Sequence, residues 1–328
     1  MPTDPTDQRS SIGRMRADVD ALCARGPRPI GSPGHDAARR FLTNRYAELG
    51  LTPYGECFEL PYVMAGQRFT NLVAVATGSG PHDAPPVLIA AHYDTVPGSP
   101  GADDNAAAVA IALEVAARLR GRPAARPVVI AQFDAEEPPS FHTPAMGSTY
   151  FHAHQASAPI HAAIVLDLVG HAVPVPGSED VVFVTGMEGD PELERTIRAL
   201  PDDMGIRIVT ALNRYVGDMS DHHTFRLGQV PYLFLTCGRW PHYHAASDLP
   251  DELDWRKIAA TADLVEVVVR DVSERSLAGP WEGYDTTATD ATTMRAGLGP
   301  LLERLGVRVE TRHDIDRVAA ALLHQFRL

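Results

Sequence analysis

The run Pro86–Ala91, P-V-L-I-A-A, carries no polar side chain and stops at His92-Tyr93-Asp94. A strand with one wet face places polar residues at alternate positions, so an unbroken apolar run predicts a strand covered on both faces. The pattern returns at Pro127–Phe133, followed by Asp134-Ala135-Glu136-Glu137, at Ala162–Leu168, which holds Asp167, and at Val230–Thr236, with His242-Tyr243-His244 beyond it. Phe69–Ala76, Val181–Thr185 and Gly205–Val209 read as further strands. Helical spacing marks Ile12–Arg25, Gly34–Gly50, Asn105–Leu119, Ala145–Ala156, Pro191–Leu200, Asp221–Leu227 and Asp254–Ser273. Strands alternating with helices predict an α/β fold, a three-layer α/β/α sandwich around a mostly parallel mixed sheet. Chemistry in such folds gathers past the carboxyl ends of the strands, where the acids and histidines stand.

Three regions follow. Residues 1–11 read as a polar tail, 12–275 as the main domain, and 276–328 as a small helical appendage. In the last, Leu301, Leu302, Leu305, Val318, Ala321, Leu322 and Phe326 fall at helical spacings. A hairpin that small cannot bury its own core well, so it is expected to dock on the main domain or on a second copy, giving a homo-oligomer. Lys+Arg number 29 against 42 Asp+Glu, a net charge of −13, which argues against nucleic acid and anionic membrane as partners. The longest apolar run, Ala106–Leu113, is far below the ~20 residues of a membrane helix. The first twenty residues are charged throughout, unlike a signal peptide, so a cytoplasmic location is expected.

Motifs for a serine nucleophile elbow, a P-loop, a dinucleotide fold and a His-Glu-x-x-His zinc helix are absent from the sequence. What remains is a set of carboxylates and imidazoles at neighbouring strand mouths. Like charges this close need cations, and an N/O donor set suits zinc. Each acid alone reads as an ordinary cap or loop residue.

The ordered series H-Y-D, G-A-D-D-N, E-E, L-D, S-D-H and Y-H-x-x-x-D resembles the co-catalytic zinc aminopeptidases, a peptidase family that also holds glutamate-carboxypeptidase-like enzymes and glutaminyl cyclases. The stretch from Arg28 to Gly34, R-P-I-G-S-P-G, is similar to the family's entry into its first helices. The resemblance implies two zinc ions per chain: His92 and Asp167 on one, Glu137 and His244 on the other, and Asp104 bridging, with Asp103 the alternative for that role. It implies Glu136 as general base and then general acid toward a water between the metals. Asp94 would orient His92, and Asp248, four residues after His244, would partner that imidazole. Some family members place an oxyanion-binding Tyr where this chain has Gly217; Tyr215 or Tyr243 are the candidate substitutes. The proline-rich insertion Pro138–Met146 is expected to wall the pocket, with His142 as a pocket residue. His35, His82, His152, His154, His161, His313 and His324 are expected at the surface. The implied substrate is a peptide with a free N-terminus. The alternative is a glutaminyl cyclase with one zinc, although the cyclases show D-D-H where this chain has Ser220-Asp221-His222.

Overall fold

The computed structural model describes residues 5–326. Its strands are β1 (Thr52–Pro53), β2 (Glu59–Met64), β3 (Gln67–Ala76), β4 (Val87–His92), β5 (Val128–Phe133), β6 (Ala162–Leu166), β7 (Val181–Thr185), β8 (Arg207–Thr210) and β9 (Tyr232–Thr236). Its helices are α1 (Pro5–Cys23), α2 (Pro33–Glu48), α3 (Ala107–Gly121), α4 (Gly147–Tyr150), α5 (Pro191–Arg198), α6 (Asn213–Val216), α7 (His222–Leu227), α8 (Trp255–Glu274), α9 (Thr287–Leu305) and α10 (Arg312–Phe326). No helix among the described residues is long and apolar enough to cross a membrane.

The strands form one sheet in the order β1-β3-β5-β4-β6-β9-β7-β8, with β2 paired to β3. The middle four, β5-β4-β6-β9, are parallel, and antiparallel partners flank them on both sides. Strand β4 explains its own lack of alternation. Val87, Ile89 and Ala91 face one core with α3 and α8, while Leu88 and Ala90 face a second core with Phe151 and Phe225. Register then sets the site: His92 pairs with Phe133 and Ala90 with Val165, so three strands end side by side. Their following residues are the acids of the sequence pattern.

Three elements depart from the sequence reading. The segment assigned to a polar tail is helical from Pro5, while residues 1–4 lie outside the described residues. Its last residue, Ser11, bonds the buried Glu114 carboxylate of α3, which Arg14 of the following turn also bonds. Strand β2 escapes a pattern search because it pairs only with β3 and carries Glu59 and Pro61, which an edge tolerates. The expected helix 145–156 is a short α4 followed by a wider turn over Phe151–Gln155.

The C-terminal segment docks on this chain's own sheet. Gly297 lies so close to β8 that a Cβ there would sit 2.2 Å from Val209 Cγ2. Met294, Leu298, Leu301, Leu302, Val318 and Leu322 join the same core as α3 and α8, whereas Leu305 is 44% exposed. Buried Asp290 bonds Thr210 Oγ1 at 2.7 Å and pairs with Arg312 at 2.7 Å, tying α9 to both β8 and α10. A fully buried leucine contributes roughly 1.5–3 kcal/mol, so ending the chain at Ala278 is predicted to cost more than about 3 kcal/mol. Thermal melting and light scattering check this: a lower Tm with aggregation is expected, and an unchanged melt would show that the segment adds nothing to the core.

Candidate metal centre

The centre is built at the carboxyl ends of β4, β5 and β6. His92 ends β4, Glu136 and Glu137 follow β5 after two intervening residues, and Asp167 directly follows β6. Asp104 comes from the turn Ala102–Ala106 that leads into α3. That turn begins at Gly101, whose φ of +65 and crowding (a Cβ would lie 2.3 Å from Thr95 Cγ2) both require glycine. His244 comes from the loop after β9 and itself sits at φ +56. Ala135 (φ +60), just before Glu136, and Leu168 (φ +53), just after Asp167, share that disfavoured conformation. Such backbone clusters where surrounding structure fixes a functional group.

The Asp104 carboxylate lies between two imidazoles. Oδ1 is 3.2 Å from His92 Nε2, and Oδ2 is 3.3 Å from His244 Nε2. Asp167 Oδ1 stands 3.7 Å from the first imidazole and Glu137 Oε2 stands 3.1 Å from the second. Each imidazole thus faces a carboxylate of its own and the two share Asp104. His92, Asp104 and Glu137 each offer a donor atom within 4.8 Å of the others.

The residues fit cations on two grounds. Buried polar atoms are nearly always hydrogen-bonded, yet His92 Nε2, Asp104 Oδ2, Glu137 Oε1 and Asp167 Oδ1 have no hydrogen-bond partner among the described residues. The charges are also unbalanced. Burial, with repulsion from Asp167, Glu137 and Asp221, pushes the Glu136 carboxyl well above its ordinary range. Burial and Asp104 push Glu137 up to about 7, and burial raises Asp167. Burial also disfavours charge on the imidazoles, but the surrounding carboxylates outweigh it, holding His92 well up and His244 at about 9. Asp104 is held low despite its burial, by both imidazoles. A cluster that suppresses its own ionisation to this degree is one that cations complete.

Buried acids fix these donors through the main chain. Asp94 accepts from the Glu136 N–H at 3.2 Å and the Glu137 N–H at 3.1 Å. His92 Nδ1 donates to the Asp94 backbone oxygen at 3.1 Å, which leaves Nε2 with its lone pair toward the centre. Asp94 orients His92 as expected, its carbonyl accepting from Nδ1 and its Oδ1 lying 3.5 Å from the same atom, and the carboxylate also holds the glutamate pair. Asp248 does not partner His244. It accepts from the Asp103 and Asp104 N–H groups at 2.8 and 3.1 Å and clamps the bridging turn. Two tight turns, Ala245 N–H to the His242 oxygen and Asp248 N–H to the Ala245 oxygen, carry it away from the His244 ring. Asp103 bonds the Gly170 N–H and His171 Nδ1 at 2.6 and 2.7 Å and is not the bridge.

A cleft of about 330 Å³ opens on the centre, lined by Asp104, Glu136, Glu137, Asp167 and His244 with Pro138, Phe141, Leu168, Met219, Phe234, Arg239 and Tyr243. A larger cleft of about 590 Å³, beside residues 281–285, contains none of the donor residues. Tyr243 stacks on His244 with centroids 3.8 Å apart and belongs to the site. Tyr215 does not: its hydroxyl bonds Asp316 on α10. His142 is exposed and bonds the Asp218 backbone oxygen at 2.7 Å, so Phe141, not His142, walls the pocket. His35 is buried rather than superficial, bonding Asp134 Oδ1 at 2.9 Å. Two residues had no role assigned from the sequence. Asp221, the acid of the S-D-H motif, is fully buried behind the centre with neither carboxylate oxygen hydrogen-bonded, and burial pushes it up to about 7. Arg239, on the cleft wall and over the Tyr243 ring, follows the last strand with no motif of its own.

Residues 71–269 match the model of peptidase family M28. An uncharacterized protein of Escherichia coli K12, YfbL, is 29% identical over 241 residues, covering 62% of this chain and 74% of that one. Aminopeptidase YwaD of Bacillus subtilis is 25% identical over 193 residues, covering 56% of this chain and 40% of that one. A glutaminyl cyclase from Bacteroides thetaiotaomicron, solved with N-acetylhistamine, shares the fold at a TM-score of 0.64 and 19% identity, covering 79% of this chain and 97% of that one. The match spans more than half the chain and contains every donor of the centre, and the chain belongs to peptidase family M28.

Proposed function

We propose that this protein is a zinc aminopeptidase that hydrolyses the first peptide bond of peptides with a free N-terminus. The observation that carries the reading is the shared Asp104 carboxylate, flanked by one imidazole–carboxylate pair on each side, with Glu136 beside them. His92, Asp167 and Asp104 would hold one zinc, and Glu137, His244 and Asp104 the other. Zinc bound there supplies Lewis acidity toward the scissile carbonyl and the attacking water.

The chain's own residues do the rest. Glu136 lines the cleft with its Oε2 3.8 Å from His92 Nε2, close to the 3.7 Å of Asp167, and its part as base rather than ligand is the one the family resemblance gives it. Its carboxylate takes the proton of the attacking water and returns it to the leaving amine. Asp94 holds the Glu136 N–H, so this base is aimed through the backbone. The unshared oxygens of the acids offer the substrate ammonium its partners. Phe141, Leu168 and Phe234 exclude bulk water, which strengthens each of these contacts.

A second reading, glutaminyl cyclase with a single zinc, is favoured by the fold shared with the Bacteroides enzyme. There the substrate's own amine replaces water as nucleophile. One pool of peptides, followed by mass spectrometry, separates the two. Release of N-terminal residues, abolished by a chelator, restored by zinc or cobalt, and absent for N-acetylated peptides, is expected. Ammonia loss from N-terminal Gln without shortening would establish the cyclase instead.

Two substitutions test the assignments. Glu136→Gln is predicted to keep fold and metal while kcat falls by about 10²–10⁴. Elemental analysis beside the kinetics checks it, and loss of one zinc would make Glu136 a ligand. Asp248→Ala, which touches no metal, is predicted to weaken metal affinity by about 10–100-fold by freeing the Asp103–Asp104 turn. Metal titration by calorimetry reads this out, and wild-type affinity in that variant would show that the turn holds without its clamp.

A further inference from the structure

We propose that His171, stacked on Trp240, is a positioning residue that ties the loop carrying His244 to the turn carrying Asp104, and so sets the affinity for the zinc of Glu137 and His244. The inference rests on the two-zinc part of the reading above, not on which reaction the zincs serve. His171 is fully buried and lies a few residues beyond Asp167. Its Nδ1 donates to Asp103 Oδ2 at 2.7 Å, while Asp103 Oδ1 takes the Gly170 N–H at 2.6 Å. Asp103 immediately precedes Asp104, so the segment that follows Asp167 grips the turn of the shared carboxylate.

The face of the same ring reaches the third donor segment. It stacks on Trp240 with centroids 4.6 Å apart and planes 13° from parallel. Trp240 opens the turn leading to His244: its backbone oxygen accepts from the Tyr243 N–H at 3.0 Å, and the His242 ring stands edge-on to its indole at 4.5 Å. Buried ring nitrogens are ordinarily bonded, yet His171 Nε2 and Trp240 Nε1 have no hydrogen-bond partner among the described residues. The stack, rather than a bond, therefore seats the indole. His244 lies between Trp240 and Asp248, and Asp248 already clamps the Asp103–Asp104 turn, so the stack is the second fastening of this loop.

The imidazole is itself anchored at its base. The His171 oxygen accepts from Lys257 Nζ at 2.9 Å, a buried group of α8 and the one lysine of the chain. The Gly170 oxygen accepts from the Asp254 N–H at 2.8 Å, at the start of the same helix. A ring held at its backbone and at Nδ1 offers Trp240 a rigid face. The bond to Asp103 thus bears on both zincs, through Asp104, while the stack bears on one, through the loop of His244.

The test is a calorimetric zinc titration of the full-length protein, stripped with a chelator beforehand, alongside tryptophan fluorescence. The wild type is expected to take up two zinc ions. Trp240→Ala is expected to weaken one of them by about 10–100-fold and to leave the other within about threefold. Trp240→Phe, which keeps an aromatic face, is expected to return that ion to near its wild-type affinity. His171→Asn, whose amide still donates to Asp103 but has no ring to stack, is expected to match Trp240→Ala. His171→Phe, which stacks but cannot donate, is expected to weaken both ions. Emission from Trp240, taken as the difference between wild type and Trp240→Phe, is expected to change as the ion affected by Trp240→Ala binds. Equal weakening of both ions in Trp240→Ala, wild-type affinity for both in that variant, or no rescue by phenylalanine overturns the proposal. Uptake of a single zinc by the wild type overturns the two-zinc reading and this proposal with it. Peptide hydrolysis is not the readout, so failure of the aminopeptidase reading would leave the result standing.

Discussion

Buried carboxylates repel one another, and the rest of this structure is arranged around holding several of them within a few ångströms. Coulomb energy at 4 Å is about 1 kcal/mol in bulk water and about 4 kcal/mol at the effective dielectric near a protein surface. Such a cluster spreads unless each member is fixed from behind. Here the fixing groups are mostly main-chain N–H donors: Asp94 takes two, Asp248 takes two, and Asp134 takes those of Thr70 and Ala135. These three acids line up behind the donors as a shell that turns loop backbone into scaffold.

One buried cation laces that shell together. Arg28 is fully buried, donating from Nε to the Tyr93 oxygen at 2.8 Å and from its two Nη atoms to the Pro100 and Gly101 oxygens at 2.6 and 3.0 Å. The planar fork of a guanidinium spreads its donors over three nitrogens and so reaches three separated carbonyls, whereas a lysine ammonium donates from a single nitrogen. It joins the end of β4 to the start of the turn that carries Asp104. The stretch from Arg28 to Gly34 thus matters for more than entry into α2. Gly34 packs so tightly on the Pro27 oxygen that a Cβ would lie 2.2 Å away.

How much of this was legible in the sequence follows from the kind of interaction each residue makes. The strands of the middle sheet were legible because burial on both faces leaves a run such as Val87–Ala91 no polar position. The candidate donors at strand ends were legible because register sets the ends of β4, β5 and β6 side by side, whereas Asp104 and His244, on a turn and a loop, were named only through the ordered motifs of the family resemblance. Asp248 was misread because a spacing of four suggests a side-chain pair only on a helix, and residues 242–248 form tight turns instead. Tyr215 was misread because the four-residue α6 that carries it turns its hydroxyl to Asp316 of α10, and His142 because it lies in a loop, where sequence distance says nothing about direction. The helical start at Pro5 was hidden by a polar run whose Ser11 finds its partner, Glu114, about a hundred residues away.

The C-terminal segment shows the same logic at a larger scale. Its apolar spacing announced two helices but not what they cover. That depends on Gly297 admitting α9 against Val209, and on Asp290 finding Thr210 and Arg312 together. Once α9 is seated, α10 is held against α6 through Asp316, and α6 forms part of the catalytic cleft. A change in the packing of α9 therefore reaches the cleft through elements already in contact, without any change in the strands that carry the metal donors.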